Sequence, residues 1–180
     1  MVRKLKYHEK KLLKKVDFIS WNIDNNLHEA KVMKKYYIQK REDYTIYNKL
    51  SRHIRDLCRK IKNVDPKNVF RIEATAHLLE KLHRMGLIPT KRSLELCDNI
   101  NASSFCRRRL PAVMVRSHMC ENMKAAVTFI EQGHVRVGPE VVTDPAFLVT
   151  RNMEDFVTWS HASAIRKHLM EYNEMVNNFL

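Results

Sequence analysis

Glycine and proline are scarce in this chain, three and five residues among 180. So little chain-breaking material excludes linker-rich and collagen-like classes. No run of 18 apolar residues occurs, so no segment reads as a membrane-spanning helix and no membrane partner is expected. The four cysteines, Cys58, Cys97, Cys106 and Cys120, stand at irregular spacing without a C-x-x-C pair, which argues against a disulfide framework and for reduced thiols. The start, Met1-Val2-Arg3-Lys4-Leu5-Lys6, is too charged for the apolar stretch of a secretory leader, and a cytosolic or nuclear setting is expected. Acidic residues are also short: 20 Asp+Glu against 33 Lys+Arg give a formal charge of +13. A field of that sign gathers polyanions, with nucleic acid the leading candidate.

What is present suffices for a fold. At 44% hydrophobic and 29% charged, the chain can bury a core and forms one compact basic domain or two small ones. Arg3, Lys4, Lys6, Lys10, Lys11, Lys14 and Lys15 against the single acid Glu9 make the first 15 residues the densest basic run. It reads either as an import signal or phosphate-binding arm, or as a solvated helix face with Leu5, Leu12 and Leu13 packed inward. Phe18 and Trp21 would then dock the arm on an apolar surface. From Leu27 to Ile61 the spacing of Ile46, Leu50, Ile54, Leu57, Cys58 and Ile61 predicts one long amphipathic helix. Asp65-Pro66 reads as the start of the next, with Val69, Ile72, Ala76, Leu79, Leu82 and Met85 in period and Gly86 ending it. Thr90 to Asn101 is a connection with Leu94 and Leu96 as its apolar pegs.

From Ala102 the pattern changes. One helix is centred on Leu110, Val113 and Met114, and a second on Met123, Ala126, Val127 and Ile130, capped by Asn122 and closed by Gly133. Then the period becomes two. His134-Val135-Arg136-Val137, a Gly138-Pro139 turn and Val141-Val142 predict a hairpin; Phe147 to Thr150 and Phe156 to Trp159 predict further strands after an Asp144-Pro145 turn. Ile165, Leu169, Tyr172 and Val176 place a helix in the tail. The fold class expected is α+β, mostly helical, divided into an arm (1–26), a helical region (27–101), an αα-plus-sheet module (102–160) and a C-terminal helical tail (161–180).

Arg107, Arg108 and Arg109 open the first helix of that module, and Arg136 lies on its first strand. Guanidinium groups so placed on two helices and a small sheet suit a nucleic-acid backbone, since the planar fork bonds two phosphate oxygens and stacks on bases. Three consecutive arginines fan over roughly 200° of a helix, so at least one serves the structure instead. On strand alternation Val135 and Val137 take the inward positions and Arg136 the outward one. His134 reads equally as an RNA contact and as a surface histidine bonded to backbone. Phe147 and Trp159 are expected in the core. Cys106, beside three arginines, could carry a lowered thiol pKa, but without a positioned base it reads better as a packed small residue. Nothing supplies a catalytic domain: there is no Gly-rich phosphate loop and no G-x-S-x-G, and His77 and His83 lie too far apart for usual metal-ligand spacing. No enzyme, cofactor or metal is expected.

The stretch Arg107-Arg108-Arg109-Leu110, two helices, then Gly133-His134-Val135-Arg136-Val137 and Asp144-Pro145 with a closing strand resembles the S4-type RNA-binding domain of the ribosomal protein S4 family, across roughly Phe105 to Trp159. Arg41-Glu42-Asp43-Tyr44 and His77 to Leu82, leading to Met85-Gly86-Leu87, are similar to the helical region preceding that domain in eukaryotic members. The opening Met1 to Glu9, the block Phe129 to Pro139 and the run Asp144 to Trp159 extend the likeness over essentially the whole chain, to the S4-related branch found in the U3 small nucleolar ribonucleoprotein. The resemblance implies a nucleolar, non-catalytic role: helping U3 small nucleolar RNA pair with pre-ribosomal RNA in the small-subunit processome, for early pre-18S rRNA processing, docked on an M-phase phosphoprotein scaffold. It also implies an RNA surface at Arg107, Arg108, Arg109, Asn122, Lys124, His134 and Arg136. The second helix departs from the family pattern, because Met123, Ala125, Ala126, Val127 and Thr128 leave Lys124 nearly alone there. Two other readings stay open: a basic protein-interaction module with incidental RNA contact, and an ordinary ribosomal protein.

Overall fold

In the computed structural model, residues 3–15 and 26–178 are described; Phe18 and Trp21 lie outside them. The chain divides into two compact units, 1–31 and 32–180. In the first, α1 (Tyr7–Lys15) carries the basic run, with Lys4, Lys6, Lys10 and Lys11 exposed. Its one acid caps the helix start, since the Glu9 carboxylate accepts the backbone N–H of Lys6 at 2.8 Å and pairs with Arg3.

Ahead of the module stand α2 (Asn26–Lys35), α3 (Arg41–Lys62), α4 (Val69–Arg84), α5 (Glu95–Asp98) and α6 (Ala102–Cys106). The single long helix expected from Leu27 to Ile61 is two helices. Tyr37 takes a left-handed backbone (φ 48°), and the Ile38 N–H reaches back to the Met33 carbonyl at 3.0 Å while its side chain is buried. That closes α2 as a glycine usually would. α4 also begins later than expected, since the Asn68 side chain accepts the Phe70 N–H at 2.9 Å; Asp65-Pro66 lies in the turn before it. The pegs of the connection are Cys97 and Ile100, both fully buried, with Leu94 and Leu96 packed at the edge.

The second half holds α7 (Leu110–Arg116), α8 (Met123–Glu131), β1 (Val135–Val137), β2 (Glu140–Val141), α9 (Arg151–Glu154), β3 (Val157–Trp159) and α10 (Ala164–Asn178). The three strands form an antiparallel sheet in the order β2-β1-β3, so the architecture is α+β and mostly helical. Val137 pairs with Glu140 across a two-residue loop whose first residue, Gly138, sits at φ 62°, a geometry that side chains resist. Phe147 to Thr150, expected as a strand, makes only a single bridge, Leu148 to Arg109.

Two apolar cores result. Tyr47, Cys58, Leu79, Leu82, Ile88, Cys97, Ile100, Phe105 and Cys106 fill the first. Leu110, Val113, Met114, Ala126, Ile130, Val135, Val137, Val149 and Val157 fill the second. The chain passes from one to the other between Cys106 and Leu110, through the three arginines. Phe147 and Trp159 pack against the second core without being enclosed.

All four cysteines are free and buried. Burial raises every thiol, and pushes Cys97 and Cys106 up to about 11; at Cys106 it outweighs the lowering by Arg109 and Arg107. Cys106 is therefore a packed residue with a protonated thiol at neutral pH. A disulfide reagent at pH 8 is expected to leave all four thiols unlabelled in the native chain and to label all four in denaturant; rapid native labelling of any one would contradict this.

Candidate nucleic-acid interface

The arginine run is shaped by main-chain pairing before side chains enter. Arg108 and Arg109 donate their backbone N–H groups to Phe105 and Cys106, ending α6, while Leu110 N–H goes to Phe147 and Val149 N–H comes to the Arg108 carbonyl at 2.8 Å. The 108–110 backbone is thereby pinned against 147–149. Its side chains must go to different places.

Arg108 goes inward. It is 5% exposed, donates from Nε and Nη2 to the Val149 carbonyl at 3.0 and 2.7 Å, and pairs through Nη1 with Glu154 at 3.0 Å. Glu154 also takes Arg116. The Arg108 guanidinium lies against Gly86, where a Cβ would stand 2.8 Å from both Cζ and Nε. Arg109 is 4% exposed and reaches back to α3, pairing with Asp43 at 2.9 Å and donating to the Tyr47 hydroxyl at 3.3 Å. Its cation lies 5.9 Å from the centre of the Tyr47 ring, which stacks on Phe105. Burial raises the Tyr47 phenol, and Arg109 partly offsets that. Neither guanidinium can leave these partners for a phosphate without exposing a buried acid or carbonyl. Where RNA contacts were expected, the Arg108 and Arg109 side chains are instead engaged internally, Arg108 on Val149 and Glu154 and Arg109 on Asp43 and Tyr47.

Arg107 differs. It is exposed, its side chain donates to the Ser104 hydroxyl at 3.2 Å, and it is paired with no carboxylate among the described residues. Asn122 stands at the cap position of α8 with no side-chain cap bond, its carbonyl accepting the Ala126 N–H, so its exposed amide is open to a ligand, and Lys124 in the first turn is exposed as well. On the sheet, Val135 and Val137 point inward and Arg136 outward, its Nε donating to Thr158 Oγ1 at 3.0 Å. His134 is half-buried, its Nδ1 3.1 Å from the Ser163 hydroxyl and its ring edge-on to Phe129. Its partner is therefore a side chain, and its main chain closes α8 and pairs with Ser160.

One cleft, about 420 Å³, is lined by Asp43, Glu131 and Asp144 against Lys40 and Arg109. With Arg109 already engaged, its carboxylates give it the wrong sign for phosphate. Two basic residues that sequence reasoning passed over, His161 and Arg166, are in bonding contact beside the sheet. Neither belongs to a motif; the turn after β3 and the first turn of α10 bring them together. Among the described residues no group of three or more His, Cys, Asp or Glu is arranged for a metal ion, and no helix is long and apolar enough to cross a membrane.

Residues 4–107 match the family model described as the ribosomal protein S4/S9 N-terminal domain, and residues 108–155 match the S4 domain. The chain is 59% identical over 180 residues to the human U3 small nucleolar ribonucleoprotein protein IMP3, covering 99% of this chain and 98% of that protein. The chain belongs to the IMP3 family. The Saccharomyces cerevisiae member is 49% identical over the same coverage. A more distant relative, the small ribosomal subunit protein uS4 of Picrophilus torridus, is 28% identical over 147 residues, 79% of each chain. The border between the two family models falls between Arg107 and Arg108. In IMP3-family terms, then, Arg108 and Arg109 are the first residues of the S4 domain; Arg108 bonds within it and packs against Gly86, and Arg109 pairs with Asp43 and Tyr47 of the helical part before it.

Proposed function

We propose that this chain is an RNA-binding assembly factor of the small-subunit processome that promotes pairing of U3 small nucleolar RNA with pre-ribosomal RNA, acting in the nucleolus during early pre-18S rRNA processing. The observation that carries the reading is the full-length likeness to proteins named as U3 small nucleolar ribonucleoprotein components. The surface supports RNA as the ligand: Arg107, Asn122, Lys124 and Arg136 offer donors that face solvent, while the neighbouring arginines are satisfied internally. Cations that contact phosphates through exposed side chains can steady a short RNA–RNA duplex without reading its sequence. The M-phase phosphoprotein scaffold belongs to the same proposal. Val69, Phe70 and Ile72, each at least 60% exposed around the first turn of α4, support a protein contact there.

Crosslinking in cells followed by sequencing tests the reading: U3 RNA together with pre-ribosomal spacer is the expected recovery. Mature ribosomal RNA alone would make the chain an ordinary ribosomal protein, and no specific RNA would favour the protein-interaction module. In vitro, Arg107→Ala with Lys124→Ala is expected to weaken single-stranded RNA binding about tenfold and to lower the log-log salt slope by about 1.4, at about 0.7 for each phosphate contact. Unchanged binding by this folded variant would remove the site.

A further inference from the structure

The sheet does not end its cationic face at β3. Ser160 N–H donates to the His134 carbonyl at 2.8 Å, extending the β1–β3 pairing by one residue beyond Trp159, and Ser163 anchors the following turn through its hydroxyl on His134 Nδ1. Within that turn, His161 is exposed. Arg166, in the first turn of α10, places Nη1 against His161 Nδ1. A guanidinium N–H only donates, so the Nδ1 of a neutral imidazole is the acceptor in that contact. Arg136, on the outward face of β1, adds a second guanidinium oriented by Thr158. These neighbours hold the His161 pKa below the ordinary value, Arg136 most, then Arg166, with burial adding least. No carboxylate among the described residues is bonded to any of the three.

We propose that Arg136, His161 and Arg166 form a phosphate-binding subsite for an RNA phosphodiester, carrying the RNA surface past the S4 domain onto the start of α10. The proposal rests on the RNA-binding reading above but draws on His161 and Arg166, which lie outside the 108–155 match and belong to no motif. Two guanidiniums and an imidazole N–H on separate elements can bond several oxygens of one phosphate, and the anion would relieve the repulsion between the two arginines. No base need be read at such a site.

The test uses the full chain and a fluorescein-labelled single-stranded RNA oligonucleotide, followed by anisotropy. His161→Gln with Arg166→Gln is expected to weaken binding about tenfold. Lys167→Gln, which removes a charge from the adjoining exposed position, should change binding by about twofold at most if the effect is local rather than one of net charge. Inorganic phosphate is expected to shift the His161 ring resonances of the wild-type chain and to raise the pH at which they titrate. Wild-type affinity in the double variant, with Arg107→Ala still weakening RNA, would overturn the subsite alone. Equal losses in Lys167→Gln and the double variant would also overturn it. Failure of the wild-type chain to bind RNA would overturn the RNA reading itself, and this subsite as an RNA contact with it.

Discussion

Replacing Arg109 with alanine is expected to destabilise the chain by about 3–5 kcal/mol, the range for removing one partner of a buried ion pair. The substitution leaves Asp43 mostly enclosed with no cation, removes a donor from the Tyr47 hydroxyl, and opens space beside the Tyr47–Phe105 stack. Urea unfolding checks it directly. The pair is not ideal, however, since Arg109 Nε is buried without a partner. Arg109→Met with Asp43→Leu should therefore recover most of the loss, because two apolar side chains of similar volume carry no desolvation penalty. An Arg109→Ala protein of wild-type stability that loses RNA binding would return Arg109 to the interface. Until that is seen, RNA-binding variants belong at Arg107, where a loss of affinity reports on the ligand rather than on unfolding.

The second large effect is expected at Gly86. Leu87 N–H bonds the Leu82 carbonyl at 3.0 Å, closing α4 with Gly86 at φ 76°. An alanine there costs about 1–2 kcal/mol for the left-handed backbone alone. Its Cβ would also press on the Arg108 guanidinium at 2.8 Å, and that group cannot retreat without leaving the Val149 carbonyl and Glu154. About 3 kcal/mol in total is expected for Gly86→Ala. In an Arg108→Ala background the contact is gone, so the same substitution should show only its backbone cost. The double-mutant cycle should return a coupling of about 1 kcal/mol or more, and strict additivity would mean the two residues do not meet.

These effects mark where the sequence was legible. Among the described helices, α2, α4, α7 and α8 each end with a left-handed residue and a main-chain bond that reaches five residues back. Two of those residues, Gly86 and Gly133, are glycines and announce themselves; the other two, Tyr37 and His118, do not. The break after α2 was hidden for that reason, since apolar spacing continued across it. The hairpin and β3 were readable because alternation and Gly138-Pro139 agree. Phe147 to Thr150 has the composition of a strand, yet its hydrogen bonds go to the backbone at 108–110 instead of the sheet. In α3 the period was correct and the face only in part: Cys58 and Ile61 are buried and Ile54 packs against the core as expected, with Tyr47 and Ser51 buried beside them, while Ile46, Leu50 and Leu57 are exposed.

Of the proposed interface, the basic surface was legible in the sequence and the disposition of its side chains only in part. Charge and motif pointed to the arginine run, and helix geometry already required one arginine to serve the structure. Which arginine turns outward depends on Asp43, Gly86 and Glu154, which are distant in sequence. No spacing rule reaches across that separation. The same holds for His161 and Arg166, whose neighbour Arg136 lies on another element.

The Asp43–Arg109 pair spans 66 residues, and a chain made from its N-terminus exposes the acid long before the base exists. Through that interval α3 carries a carboxylate and a phenol with only water to bond them, and the first core lacks Phe105 and Cys106 from its wall. In the finished fold Arg109 supplies the partner both groups lack, so the start of the S4 domain is the latch on the first core.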